Sequence, residues 1–290
     1  MIDTYEILWG LVAPLLLMAG GMIVMGLWPT LRGVFSLGFL LAMVFAICQL
    51  GFRNWAMPGK DVQDWPAWIA VVGGLMACCS LSSNGHLGWG LVIRLTVTGL
   101  SAWLLLKPQI HDQGMLVIAA WVFGSAIVWT ALVTAYERVH ATASRTSSKV
   151  SLITFVTLGG LTAISLLLFN CLTHAQYSVI FTAALMAALV IVWWRPKWYN
   201  PQGLVMVAAL ILPTLWLLSN RYSNLPIWAL PLLALAGLAP LIVWCGPIRK
   251  WSEWKRLAIM VAIIGIVLSP VVWWGVVTSI RAAAEPSYGY

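Results

Sequence analysis

The chain has 290 residues, 62% of them hydrophobic and 8% charged, with a mean hydropathy of +0.94 and a formal net charge of +8 at pH 7. An ordinary soluble domain carries about 25% charged residues, so a water-soluble globule is excluded for want of polar surface to cover the apolar side chains. The 16 Lys and Arg residues are scattered along the chain rather than gathered in one groove. That pattern excludes a nucleic-acid surface and assigns the positive charge to membrane orientation and anionic lipid.

Runs near twenty apolar residues read as membrane helices. In chain order they cover residues 7–27, 34–50, 66–81, 87–106, 115–135, 150–172, 177–194, 204–219, 227–244 and 257–280. The expected fold is therefore all-α, a polytopic integral membrane protein of about ten transmembrane helices, with the third and eighth spans short. Asp3 and Glu6 precede the first run in place of Lys or Arg, and no small-residue cleavage site follows it, so it reads as a permanent helix rather than a signal peptide. Residues 1–281 form a single transmembrane domain, with a boundary loop near 136–149 between two five-helix halves. Residues 282–290 read as a short flexible tail. Of 19 tryptophans, Trp28, Trp65, Trp103, Trp193, Trp194, Trp228, Trp244, Trp251 and Trp254 lie at span ends, as an aromatic belt requires. Trp121 lies within a span and reads as a buried ring.

Loops after odd-numbered spans hold Arg32, Arg138, Arg145, Lys149, Arg195, Lys197, Arg249, Lys250, Lys255 and Arg256; the opposite side holds Arg53, Lys60, Lys107, Arg221 and Arg281. The bias places the odd loops in the cytoplasm and both termini on the non-cytoplasmic side of a cell (inner) membrane. Arg249, Lys250, Lys255 and Arg256, interleaved with Trp251 and Trp254, suit a segment lying on lipid headgroups or a docking surface for a cytosolic partner.

None of the eight acidic residues falls inside an apolar run: Asp3, Glu6, Asp61, Asp64, Asp112, Glu137, Glu253 and Glu285 all lie at segment ends, in loops or in tails. Buried carboxylates are the usual proton-relay groups of membrane proteins, so ion-driven chemistry through such groups is not expected. Arg94 is the one charge well inside a span, roughly 12 Å along its helix at 1.5 Å per residue. With Asn84 and His86 in the preceding turn it forms the candidate substrate-binding group, and Glu137 is its candidate resting counter-ion.

Catalytic and metal chemistry have little support. The five cysteines have no zinc spacing, the four histidines fall in loops, and G-x-S-x-G, H-E-x-x-H and paired carboxylates are missing, so no cofactor or metal is expected. Pro213, Pro231, Pro240 and Pro270 fall inside the last three spans, where each removes a helical hydrogen bond. Gly20-Gly21, Gly73-Gly74 and Gly159-Gly160 allow close helix approach. One internal similarity stands out: Lys107-Pro108 followed by Gln113-Gly114, and Arg195-Pro196 followed by Gln202-Gly203, each lead into a similar apolar run. Three spans separate these hairpins, the offset of an inverted repeat.

Two functions fit. One is a small permease or flippase-like carrier of an anionic or lipid substrate, without proton coupling through buried carboxylates. The other is a non-catalytic subunit or scaffold of a membrane complex. The bilayer is the expected partner in both, other membrane subunits in the second.

Overall fold

The computed structural model describes residues 4–28, 31, 36–55, 61–78, 87–142, 147–196, 203–245, 248 and 251–284, with backbone alone at 78, 87–90, 135–142, 147–148, 244–245 and 282–284. The described regular structure is entirely helical. The main helices are α1 (Thr4–Leu27), α2 (Leu37–Phe52), α3 (Trp65–Cys78), α4 (Leu87–Leu106), α5 (Met115–Thr142), α6 (Ser147–Leu168), α7 (Leu172–Trp194), α8 (Leu204–Tyr222), α9 (Ala229–Gly237), α10 (Ala239–Cys245) and α11 (Glu253–Ala284). Seven of them, α1, α4 to α8 and α11, are long and apolar enough to cross a membrane. The chain is thus a multi-pass membrane protein. α2 and α3, at 16 and 14 residues, are shorter.

Several boundaries differ from those read in the sequence. The ninth apolar run is two helices: α9 ends at Gly237, a turn at Leu238 follows, and α10 restarts with Pro240 in its first turn, where a missing N–H is harmless. The boundary loop near 136–149 is mostly helix, since α5 runs on to Thr142 and α6 begins at Ser147. α7 starts at Leu172 rather than 177, which draws His174 into a helix. Within α1, Leu8–Val12 forms a π-helical turn just before Pro14, one wider turn that lets the chain meet proline without a break.

α8 is the hub. Its apolar window is 83% buried, against 22 to 33% for α1, α4, α5 and α11, and it packs against α2, α3, α5 and α7. Small residues set the closest crossings, because association inside a bilayer depends on packing contact rather than on exclusion of water. Gly73 lies against Leu210 of α8 and Gly74 against Ala42 of α2, while Gly159 lets α6 approach Thr182 of α7. The Ser178 hydroxyl donates to the Gly159 carbonyl at 2.9 Å across that crossing. Gly203, at φ +69°, lies beside Ala77 and against the backbone at Gly38, so the start of α8 is wedged between α2 and α3.

Long-range contacts sort into two ends. At one end Tyr5 bonds Gly51 and Asn54, Gln176 donates to Glu6, Gln109 donates to the Arg221 carbonyl, and Ser279 donates to the Leu168 carbonyl. At the other, Gly38 meets Gly203, Lys149 lies over Trp193 at 5.0 Å, and Trp193 packs on Trp254. The described helix ends therefore alternate. Gly114 and Gly203 both take positive φ, as the paired Gln-Gly turns suggest, but their ψ angles are 153° and −7°. α4 packs closely on α5, whereas α7 packs chiefly on α6 and α1.

Candidate functional site

Where α8 meets α5 and α9, a cavity of about 420 Å³ opens, lined by Trp121, Trp129, Trp216, Pro213, Pro231 and Ser125 among others. Two of the four in-span prolines line it. Proline cannot continue the helical hydrogen-bond ladder and displaces the turn before it, so the walls of α8 and α9 cannot close as smooth cylinders. The lining is apolar apart from Ser125 and the indole groups. Its volume suits a ligand of a few hundred Å³.

Arg221 is tied to this cavity through Trp121, one of its wall residues. Its guanidinium stacks 3.7 Å from the Trp121 ring centroid, and one nitrogen donates to the Gln113 side chain at 2.9 Å. The ε nitrogen and the other terminal nitrogen are buried and have no hydrogen-bond acceptor. A stacked, half-satisfied guanidinium beside an apolar chamber offers two parallel donors to a carboxylate or phosphate. Gln109 and Tyr222 fix this corner: Gln109 donates to the Arg221 carbonyl and Tyr222 to the Leu105 carbonyl. Arg221 thus connects the ends of α4 and α8 and the start of α5.

A second polar cluster lies at the same end, between α2, α3 and α7. Arg53 bonds Asp61 at 2.8 Å and Asp64 at 3.1 Å. Burial opposes its charge, but the Asp64 hydrogen bond and the field of Tyr177, Asp64 and Asp61 outweigh that and hold the guanidinium above its ordinary pKa. Asp64 is 1% exposed, as are Gln49 and His174, and Tyr177 is fully buried. Gln49 Oε1, Asp64 Oδ2, the Tyr177 hydroxyl, His174 Nε2 and Trp68 Nε1 are all buried without a hydrogen-bond partner. His174 Nδ1 faces the Ser223 hydroxyl at 3.4 Å, just past the end of α8.

Arg94, the residue singled out from the sequence, is half-buried on α4. Its carbonyl accepts from Thr98, whose hydroxyl also reaches Ala126 and Thr130 on α5. Asn84 and His86 lie outside the described residues, as does the side chain of Glu137. Of the basic cluster, Arg249 and Lys250 lie outside them too, while Lys255 is exposed and Arg256 half-buried in the first turn of α11. The sequence reading places His174 in a loop; the structure corrects this, because α7 begins five residues earlier and buries it. The same reading treats Arg221 as a loop charge and Asp64 as a segment end. The missed signal is spacing: Gln49 with Arg53, Asp64 with Trp68, and His174 with Tyr177 each share one helical face.

Among the described residues no group of three or more His, Cys, Asp or Glu could hold a metal ion. No family model, curated protein or solved structure matches the chain.

Proposed function

We propose that the protein is a small permease or flippase-like carrier for an anionic amphiphile, crossing a cell membrane ten times with both termini outside. The observation that carries this reading is the cavity among α5, α8 and α9 with Arg221 stacked on its wall residue Trp121: an apolar chamber for a chain and a cation for a head group. Arg94 supplies a second cation nearer the other end. It precedes Leu105, the residue bonded to Tyr222, by eleven positions, or roughly 16 Å of helix. Two arginines at different depths, one stacked on a wall residue of the chamber and one on α4, which packs on α5, suit a head group handed from one leaflet toward the other, with Asn84 and His86, eight to ten residues before Arg94 in the sequence, as further candidate binding groups. The ten-crossing count is supported by the alternation of helix ends, and the outward termini by the excess of basic residues on odd loops.

Reconstitution tests it. Vesicles containing the wild type should translocate a fluorescent lysophosphatidic acid, and Arg94→Leu and Arg221→Leu should each lower the rate by about tenfold or more at unchanged folded yield. Trp121→Ala should lower it about threefold or more through loss of the stacked cation. Full translocation by both arginine variants would overturn the roles given to Arg94 and Arg221, and a wild type that translocates no faster than protein-free vesicles would overturn the carrier reading in favour of a non-catalytic membrane subunit.

A further inference from the structure

We propose that a second cavity, where the end of α6 meets α11 and the loop before α9, binds a neutral sugar, either a free glycoside or the head group of a glycolipid. The cavity holds about 290 Å³ and is lined by Phe169, Asn170, Asn224, Trp274, Thr278 and Ser279 among others. It shares no lining residue with the chamber among α5, α8 and α9, so it stands apart from the carrier reading. Its volume is small for a ligand pocket and suits one ring rather than a lipid chain.

Charge narrows the ligand first. Among the described residues that line the cavity none is Lys, Arg, His, Asp or Glu, so an ion entering it would lose water without gaining a counter-charge. Hydrogen-bonding capacity narrows it further. The Thr278 hydroxyl donates to the Gly275 carbonyl, and the Ser279 hydroxyl to the Leu168 and Gly275 carbonyls, so each keeps only lone pairs to offer a ligand. The two asparagines offer amide N–H groups and carbonyls, and among the described residues neither side chain bonds the protein. A ligand that fits must donate to the Ser and Thr oxygens and accept from the amides. A hydroxyl group does both through one atom. Trp274 and Phe169 add apolar ring surface, which matches the C–H face of a pyranose whose hydroxyls lie around its rim.

The walls are held by the protein's own bonds. Asn170 takes φ +58°, a left-handed conformation that asparagine tolerates, and the amides of Asn170 and Cys171 donate to the Leu167 and Leu166 carbonyls where α6 ends. The loop bearing Asn224 is pinned from two sides: Asn220 donates to the Leu225 carbonyl and the Leu225 amide to the Ser219 carbonyl, while the Cys171 thiol lies against the backbone of Asn224 and Leu225. Ser279 on the Leu168 carbonyl ties α11 to α6. Walls fixed in advance lower the ordering cost of binding. Trp274 packs edge to face on Trp228 at 6.2 Å, and both rings stay partly exposed at this end of the bundle, where tryptophans meet the headgroup level. A sugar can reach that level from water or on a lipid.

The test follows binding, not transport, so its failure leaves the carrier reading untouched. Protein labelled with fluorotryptophan is placed in phosphatidylcholine nanodiscs, and the Trp274 fluorine resonance is identified by its loss in Trp274→Phe. At least one of methyl glucoside, methyl galactoside and methyl mannoside, added up to about 50 mM, or of monoglucosyl- and monogalactosyl-diacylglycerol built into the nanodisc, should shift that resonance saturably. Glycerol at the same concentration should not. A shift with the free glycosides assigns a dissolved sugar, and a shift with the glycolipids alone assigns a lipid head group; both outcomes support the site. Asn170→Gly, which keeps the left-handed turn without strain, and Asn224→Ala should each weaken the response about fivefold or more, through loss of amide hydrogen bonds. No saturable Trp274 shift with any of these sugars overturns the proposal. So does an equal shift with glycerol, or a shift that either asparagine variant leaves unchanged.

Discussion

A methyl group added at Gly38 or Gly203 has no room. Gly38 faces the backbone of Gly203, and Gly203 combines positive φ with the backbone of Ala77. Gly203→Ala should therefore cost about 2 to 4 kcal/mol, from left-handed strain plus overpacking, lowering the thermal midpoint in detergent. Gly160→Ala, with only a Thr182 methyl at 4.0 Å, should change it little. A midpoint unmoved in the first variant would show that the wedge between α2 and α3 is not filled as described. Arg94 was legible in the sequence because a charge inside an apolar run stands out by contrast. Arg221 and His174 were not, because at the end of a run the same residues look like ordinary loop side chains. Only the packing of one helix end on another decides whether such a residue is wet or buried.

Helices were easy to locate and harder to delimit. Apolar runs mark where a chain is buried in lipid or protein, but capping and proline decide where hydrogen bonding stops. Ser36 caps the start of α2 through its hydroxyl, which accepts from the Phe39 amide, and nothing in the hydropathy of the second run announces it. Proline marked the ninth run as irregular, yet whether it kinks or breaks a helix depends on the turn before it. Here Leu238 and Leu241 each bond the carbonyl three residues back, so the break is two tight turns in series. Pro240→Ala restores one donor, and amide exchange at residues 239–242 should slow about tenfold as α9 and α10 join, with a stability change below about 1 kcal/mol. Exchange unchanged from the wild type would place the cause in tertiary packing instead.

Across the whole molecule, the sorted contacts say which helix ends share a face, and the proposed orientation, drawn from the basic residues, says which face is outside. In a cysteine-free background, Asn170→Cys and Asp112→Cys should react with an impermeant maleimide added outside intact cells, and Ser252→Cys only after permeabilisation. The reverse pattern would invert the bundle and undo the basic-residue argument. The hub position of α8 also bears on biogenesis. A chain leaves the ribosome from its N-terminus, so seven helices are inserted before the one that α2, α3, α5 and α7 pack against. Until α8 is made, Gly73 lacks Leu210 and both Gly38 and Ala77 lack Gly203, and the early helices are held by lipid, by their hairpin neighbours and by α7, which packs on α1 and α2. The centre of the bundle is then filled late. A chain stopped at residue 203 would be inserted with its hub missing, a substrate for membrane proteases rather than a smaller version of the same protein.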